Sequence, residues 1–306
     1  MIVIDSAPAI LIIGAIVGIV GAGSWALFRR IRPRPGLTGS LALQRALSYA
    51  VLALVLAAAA QAGTPGIAVL IAALGAIGLV EWSRLMDLPV HHRIALQIAN
   101  LAIVTAVAIG GTAATDWLIG GIVLVGISWP VVRSDTGRAL RDLGLAAVGC
   151  VVLPVLLVHG VLLAFERGPL GVTLFAALAV ACAGSDVGAF IVGRRFGRTP
   201  LAPRLSPGKT REGVVGNVLG AAVGLTPFSG LLVPTLGAVS MIAIVALVAV
   251  GALWGDLFES AVKREAGVKD AGRWLPGFGG ILDRIDSLLV VVPVVYWALR
   301  IGDLVA

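Results

Sequence analysis

Long runs of apolar residues recur along the whole chain and constrain its fold more than any other feature. An α-helix needs about 20 consecutive apolar residues to cross the hydrocarbon core of a bilayer. Only 13% of the 306 residues are charged, whereas a typical soluble domain has about 25%. Membrane β-strands would give alternating segments of about ten residues, and the runs here are continuous. The sequence therefore predicts an all-α polytopic membrane protein.

Hydropathy predicts about ten transmembrane helices, and nine are possible because the third and fifth runs are short. The predicted spans lie near residues 8–28, 44–61, 66–80, 94–112, 117–132, 143–164, 170–192, 213–232, 236–256 and 282–299. The first run is too long for a cleaved signal peptide. Four arginines follow it at 29–34. Because basic residues stay in the cytoplasm, the N-terminus is expected outside. Nearly all Lys and Arg residues fit this topology, with Arg167 and Arg300 as exceptions.

Polar residues are concentrated in the second half of the chain, in predicted cytoplasmic loops at 193–212 and 257–281. We therefore expect a transmembrane scaffold at 1–165 and a catalytic transmembrane region at 166–306. The net charge of +7 is explained by topology, and no motif indicates a nucleic-acid partner. Cys150 and Cys182 fall in apolar runs without CxxC spacing, which indicates buried free thiols. His159 also lies in a span, where bonding to a neighbouring helix is the expected role.

The first unusual polar segment, 184–213, begins with an acidic residue inside an apolar helix. A carboxylate at the position of Asp186 requires a cation or a polar cavity. A structural pair with Arg194 is the alternative to a functional role. Gly184, Gly188 and Gly193 allow a backbone or a ligand to approach closely.

Six basic residues then follow within a short stretch: Arg194, Arg195, Arg198, Arg204, Lys209 and Arg211. They suit a polyanion such as a phosphate ester. Topology and binding of anionic lipid headgroups explain them equally well, and composition leaves both open. The stretch 206–210 resembles the end of a nucleotide-binding P-loop. Pro203 occupies the required glycine position, however, and no strand is expected before it, so a P-loop is excluded.

The second polar segment, 255–286, places Asp256, Glu259, Ser260 and Lys263 on one helical face. Glu259 and Lys263 form either a simple ion pair or part of a site. A proline and three glycines at 276–280 then break the helix and leave N–H groups free to face an anion.

Two carboxylates, Asp283 and Asp286, begin the last predicted span. Helix capping alone is the alternative explanation for them. Hard oxygen ligands next to phosphate-binding cations are what a Mg²⁺–nucleotide site requires.

The order of these residues resembles the signature of the CDP-diacylglycerol synthase (phosphatidate cytidylyltransferase) family. The matching positions are Ser260, Lys263-Arg264, Lys269-Asp270, Gly272, Leu275-Pro276, Gly279-Gly280, Asp283-Arg284 and Asp286. Other family blocks are similar at 186–190, Gly193-Arg194, Phe196-Gly197, Ser206-Pro207, Lys209-Thr210 and Glu212-Gly213, and more weakly at Glu81-Trp82 with Leu85. The resemblance covers roughly residues 145–300.

The resemblance implies that CTP and phosphatidate are converted to CDP-diacylglycerol and pyrophosphate, at the cytoplasmic face of the cell membrane and by a homodimer. Asp256 and Asp283 are expected to hold Mg²⁺, with Asp286 and Asp186 close by and room for a second cation. The expected catalytic residues are Lys209, Lys263, Arg264, Lys269, Asp270 and Arg284. The expected nucleotide-binding residues are Ser206, Thr210, Ser260, Gly279 and Gly280.

One position departs from the family signature: Phe278 stands where the family has a histidine. Phenylalanine neither donates a hydrogen bond nor transfers a proton. This substitution keeps two alternatives open. The first is a cytidylyltransferase for another lipid phosphate, such as a polyprenyl or ether lipid, and the second is a non-catalytic or transport homologue.

Overall fold

The computed structural model describes residues 39–113, 121, 138–268, 271–272 and 279–305. Most of them are helical. The helices are α1 (Gly39–Gln61), α2 (Gly63–Leu85), α3 (Val90–Gly110), α4 (Ala139–Cys150), α5 (His159–Phe196), α6 (Arg211–Leu225), α7 (Ser229–Glu265) and α8 (Leu282–Val305). A π-helical turn (Val151–Val155) follows α4, and a 3₁₀ turn (Thr226–Phe228) precedes α7. The predicted span 8–28, nearly all of 117–132, and Lys269, Asp270 and Phe278 lie outside the described residues.

Five helical stretches within the described residues are long and apolar enough to cross a membrane. They are Gly63–Leu85, Val90–Gly110, Ala139–Phe196, Arg211–Glu265 and Leu282–Gly302. The prediction of a mostly helical protein with several membrane spans is thereby confirmed. The count of ten spans and the external N-terminus stay predictions.

The two longest stretches each contain a residue that is not helical. Gly168 has φ 55° and precedes Pro169, and Gly237 has φ 79°. Positive φ is accessible to glycine at little cost, so each glycine separates two consecutive helices. The break at Gly168 falls between the predicted spans 143–164 and 170–192, and the break at Gly237 falls at the second residue of the predicted span 236–256.

A short antiparallel hairpin connects α5 to α6, formed by β1 (Pro200–Ala202) and β2 (Ser206–Thr210). The sequence-based expectation that no strand precedes this part of the chain is therefore wrong. Lys209 lies within β2 itself, so no phosphate-wrapping loop separates strand and helix. The exclusion of a P-loop by Pro203 is unaffected.

Glycines bring the helices of the second half into backbone contact. A Cβ added to Gly188 on α5 would lie 2.1 Å from the carbonyl oxygen of Gly216 on α6. A Cβ on Gly220 would lie 2.1 Å from the carbonyl oxygen of Gly184. Gly255 on α7 packs equally closely on the carbonyl of Asp286 on α8. Small residues permit such close approach of membrane helices, and here they bring α5 against α6 and α7 against α8.

Two predictions about single residues in the spans are confirmed. His159 Nε2 lies 3.1 Å from Trp297 Nε1 on α8, so the histidine bonds a neighbouring helix. Cys150 and Cys182 are free and buried. The His159–Trp297 bond also joins the two halves of the chain, since His159 precedes residue 165 and Trp297 follows it. The division at residue 165 stays a prediction.

Candidate active site

A cavity of about 1260 Å³ lies between α5, the hairpin, α6, α7 and α8. Its lining combines charged residues from both polar segments of the sequence. The charged side chains are Asp186, Arg194, Arg195, Lys209, Asp256, Glu259, Lys263, Asp283, Arg284 and Asp286. Ser206 and Thr210 of the hairpin also line it. The cavity therefore joins residues that are up to 100 positions apart in the chain.

Three carboxylates in the cavity form a compact acidic cluster. One oxygen from each of Asp256, Glu259 and Asp286 lies within 4.8 Å of the other two. Glu259 and Asp286 are buried, and Glu259 Oε1 has no hydrogen-bond partner among the described residues. Like charges at this separation repel strongly in a partly buried site. Hard oxygen donors arranged in this way fit a divalent cation.

Asp283 lies in the same cavity but is engaged by other groups. Its Oδ1 is 2.8 Å from Lys263 Nζ. Its Oδ2 accepts hydrogen bonds from the backbone N–H of Gly280 at 2.7 Å and of Ala271 at 3.2 Å. The structure thus groups Glu259, and not Asp283, with Asp256 and Asp286. The expected ligand role of Asp283 stays a prediction.

Lysines supply the counter-charges of these acids. Lys209 Nζ is 2.6 Å from Asp256 Oδ2, so the hairpin is tied to α7. Lys263 Nζ is 2.6 Å from Glu259 Oε2 and also pairs with Asp283. The ion pair that the helical spacing of Glu259 and Lys263 suggested is present. Both lysines therefore lie among the carboxylates, where they can also reach a bound anion.

The hairpin is held in place by bonds to the start of α6. Thr210 is the N-cap of α6, and its Oγ1 accepts the N–H of Gly213 at 3.1 Å. Glu212 accepts the backbone N–H groups of Arg198 and Thr199 at 3.1–3.3 Å. These contacts give hydrogen-bond acceptors to backbone N–H groups that would otherwise be unpaired at the helix start and in the loop. They position β2, and with it Lys209, at the cavity.

Other predicted site residues support the cavity without lining it. Ser260 Oγ lies 3.4 Å from Asp256 Oδ1. Arg264 is exposed, with Nε 3.5 Å from the Leu205 carbonyl of the hairpin. Gly279 has φ 91° and forms part of the turn before α8. The Gly280 N–H bonds Asp283, so this one N–H of the stretch 276–280 is not free for an anion. Residues 276–278 lie outside the described residues, and for them the expectation stays a prediction.

Two residues of the site were not among the sequence-based candidates. Glu81 of α2 is 1% exposed and accepts the N–H groups of Ile281 at 3.0 Å and Leu282 at 2.7 Å. Asn217 of α6 is buried and lines the cavity. Each is a polar residue within an apolar run. That pattern was a usable signal, although it does not say what either residue contacts.

Comparison with known proteins identifies the chain's relatives. The model of the cytidylyltransferase family matches residues 43–302. The chain belongs to the cytidylyltransferase family. The resemblance seen at 145–300 is confirmed, and the match extends over helices of the first half. The prediction of a nucleotidyltransferase of this family is confirmed with it.

Three bacterial members of the cytidylyltransferase family illustrate the similarity, and all are named phosphatidate cytidylyltransferase. The protein from Pseudomonas aeruginosa is 35% identical over 243 residues, covering 74% of this chain and 85% of the relative. The protein from Thermotoga maritima is 47% identical over 122 residues, covering 38% and 45%. The protein from Haemophilus influenzae is 47% identical over 114 residues, covering 36% and 39%. The two alignments with 47% identity thus each span less than half of the relative's length.

Proposed function

We propose that this chain is a phosphatidate cytidylyltransferase, which transfers the cytidylyl group of CTP to phosphatidate and releases pyrophosphate. The observation that carries the proposal is a single cavity in which acidic and basic side chains meet between apolar helices. Such a cavity accepts two polyanions and a cation beside a lipid phase. The names and similarity of the bacterial relatives support the choice of substrates.

The proposed reaction joins two anions, so charge neutralisation is its central difficulty. A phosphate oxygen of phosphatidate attacks the α-phosphorus of CTP and forms a new P–O bond. The bond from the α-phosphorus to the oxygen bridging to the β-phosphorus breaks, and its electron pair leaves with pyrophosphate. Chemistry of this kind depends on positioning and electrostatic stabilisation, and no protein nucleophile is needed. Lys209, Lys263 and Arg284 are the cations that line the cavity next to the acidic cluster, and we assign them to the phosphates.

The acidic cluster fits a divalent cation, for which we propose Mg²⁺. Asp256, Glu259 and Asp286 would hold it, with Asp283 and Asp186 as further candidate ligands in the same cavity. The unpartnered Glu259 oxygen supports this assignment. When bound, the ion supplies positive charge to phosphate oxygens. The remaining roles belong to the protein: its lysines and arginines bind the substrates, and its packed helices hold the carboxylates in place.

The proposal includes a location and an arrangement in the membrane. We propose a multi-pass protein of the cytoplasmic membrane, with the cavity on the cytoplasmic side, because the basic residues collect there. Phe190 lines the cavity and is 50% exposed, so phosphatidate would enter sideways with its acyl chains left in lipid. The first half would act as scaffold, the second half would carry the chemistry, and the protein would form a homodimer as the family resemblance implies.

The test uses purified full-length protein in lipid nanodiscs with CTP, phosphatidate and a Mg²⁺ titration. Pyrophosphate release and CDP-diacylglycerol formation are measured together. Asp256→Asn and Glu259→Gln should each reduce turnover on the order of 100-fold, because each removes preorganised charge. Asp87→Asn is the matched control, since Asp87 is exposed with φ 51°, a conformation that asparagine tolerates. Full activity of both cluster variants would overturn the cation assignment.

Asp283→Asn separates the two candidate ligand sets. If Asp283 is a ligand, this variant should raise the Mg²⁺ concentration needed for half-maximal rate as much as Glu259→Gln does. If Asp283 only pairs with Lys263 and the backbone, the maximal rate should fall while the Mg²⁺ requirement stays close to that of the wild type.

A substrate panel tests the alternatives that Phe278 raised. Among the described residues no observation favours another lipid phosphate or a non-catalytic role. Turnover of polyprenyl phosphate with phosphatidate inert would replace the proposed substrate and keep the chemistry. Binding of CTP with no turnover of any lipid phosphate would refute the enzymatic proposal. Phe278→His, assayed in parallel, reports whether the family histidine improves the rate.

A further inference from the structure

A buried carboxylate from the first half of the chain closes the start of helix α8. Glu81 Oε1 accepts the N–H of Ile281, and Oε2 accepts the N–H of Leu282. The first N–H groups of a helix have no partner within the helix. Here a side chain 200 positions away in the sequence provides the acceptors. This contact is therefore a tertiary cap between α2 and α8.

The same carboxylate lies against two glycines that precede α8. A Cβ added to Gly272 would lie 2.2 Å from Glu81 Oε1, and a Cβ on Gly280 would lie 2.6 Å from Oε2. Neither position has room for a larger residue while Glu81 is in place. Glu81 therefore lies against the backbone of both Gly272 and Gly280.

The cap is followed directly by two residues of the acidic cavity, Asp283 and Asp286. Asp283 completes the capping by accepting the N–H of Gly280, and it pairs with Lys263. Asp286, one turn further along, belongs to the acidic cluster. A rotation or shift of the first turn of α8 would therefore move both carboxylates relative to α7.

We propose that Glu81 is a positioning residue of the cation site. It sets the first turn of α8 and thereby the places of Asp283 and Asp286, although it does not itself line the cavity. The proposal rests on the proposed function, since it assigns a role within that site. It also gives the first half of the chain a part in the site beyond that of a scaffold.

The experiment compares wild type with Glu81→Gln in full-length protein in nanodiscs. Glutamine keeps the size of the side chain, but its amide nitrogen cannot accept a hydrogen bond. Hydrogen–deuterium exchange at residues 279–286 should become faster. The half-saturating Mg²⁺ concentration should rise by about 10-fold, as when a ligand loses its supporting partner. The KM for phosphatidate should stay within about twofold, because no lipid contact is lost.

Glu166→Gln is the matched control at the other end of α8. Glu166 accepts hydrogen bonds from Tyr296 at 2.9 Å and Arg300 at 3.2 Å, so the same substitution loosens α8 far from the cavity. It should leave the Mg²⁺ requirement and the exchange at 279–286 unchanged. A control variant with the same Mg²⁺ shift would show that any loosening of α8 suffices, which overturns the specific role of Glu81.

Gly272→Ala is the second variant, and it keeps the test valid if Glu81→Gln fails to fold. The added methyl group displaces the Glu81 carboxylate without removing it, so the Mg²⁺ requirement should again rise. In a Glu81→Ala background the same methyl group has room and should cause no further loss. Additive effects of the two changes would contradict the shared contact.

Two results would refute the proposal that Glu81 positions the cation site. One is unchanged exchange and unchanged Mg²⁺ dependence in Glu81→Gln. The other is a loss of rate and stability with the Mg²⁺ requirement unaltered, which marks a merely structural role. Two of the measurements, hydrogen–deuterium exchange and the Mg²⁺ dependence of thermal stability, do not require turnover. An inactive wild type would therefore refute the proposed function, while these two measurements would still decide the role of Glu81.

Discussion

Replacing Lys263 with methionine removes one ammonium group from between two buried carboxylates. The side chains of Lys263, Glu259 and Asp283 are 16%, 3% and 6% exposed, with N–O distances of 2.6 and 2.8 Å. Removing one partner of a buried ion pair costs about 3–5 kcal/mol, because the other charge is left uncompensated. Methionine fills the volume but carries no charge. We therefore expect the variant to lose about 3–5 kcal/mol of unfolding free energy.

Mg²⁺ should stabilise the Lys263→Met variant more than it stabilises the wild type. Of the two freed carboxylates, Glu259 belongs to the acidic cluster and Asp283 lies in the same cavity, so a divalent cation can replace the missing ammonium. A ligand that binds only the folded state stabilises it by about 2.7 kcal/mol at 100 times its Kd. The stability deficit of Lys263→Met should therefore shrink as Mg²⁺ is added, while the wild type gains less.

The measurement is denaturant unfolding in detergent micelles, with and without Mg²⁺. Arg264→Met is the matched control for stability. Arg264 is the exposed neighbour and contacts one carbonyl oxygen at 3.5 Å, so the expected change is within about 0.5 kcal/mol. A loss below about 1 kcal/mol for Lys263→Met, or a deficit that does not respond to Mg²⁺, would refute the idea that Lys263 is the counter-ion of this cluster.

Two further predictions concern packing and capping. Gly188→Ala should destabilise the protein and abolish activity, because its Cβ would meet the Gly216 carbonyl. The control is Gly144→Ala, which has no atom within 4 Å of its Cβ and should be neutral or stabilising by up to about 1 kcal/mol. Thermal unfolding compares the two variants. Thr210→Val removes the side-chain acceptor of the Gly213 N–H and should lower the free energy of unfolding by about 0.5–2 kcal/mol. Thr210→Ser keeps a hydroxyl acceptor and should retain most of the wild-type stability. Equal unfolding temperatures for the valine and serine variants would contradict the capping role.

The helical framework was largely predictable, because long apolar runs have few other solutions. The break at Gly168 falls between two predicted spans, and the break at Gly237 falls at the start of another. The hairpin at 200–210 was missed for a physical reason. Its strands have three and five residues, too few for a periodic pattern to appear in the sequence. Their pairing depends on anchoring by Thr210 and Glu212, which only the folded chain provides.

The cavity was also predictable in part. Charges inside apolar helices must share a polar space, and Asp186, Asp256 and Asp283 do line one cavity. The detailed pairing was not predictable. Helical spacing placed Glu259 next to Lys263, but the spacing gave no reason to group Glu259 with Asp286, which lies on another helix. The contact of Glu81 with α8 depends on packing across 200 residues, so no local pattern in the sequence contains it.

The balance of charges in the cavity explains why a cation belongs to the proposed mechanism. Among the described residues, five acidic and five basic side chains line it, so their formal charges cancel. Lys209 and Lys263 are already paired with carboxylates, and a triphosphate would find little net attraction. A divalent cation in the acidic cluster adds two positive charges and releases the lysines to bind phosphate. Cation and nucleotide should therefore strengthen each other's binding by the same factor. Binding of CTP that is equally tight with and without Mg²⁺ would mean that the carboxylates serve another purpose.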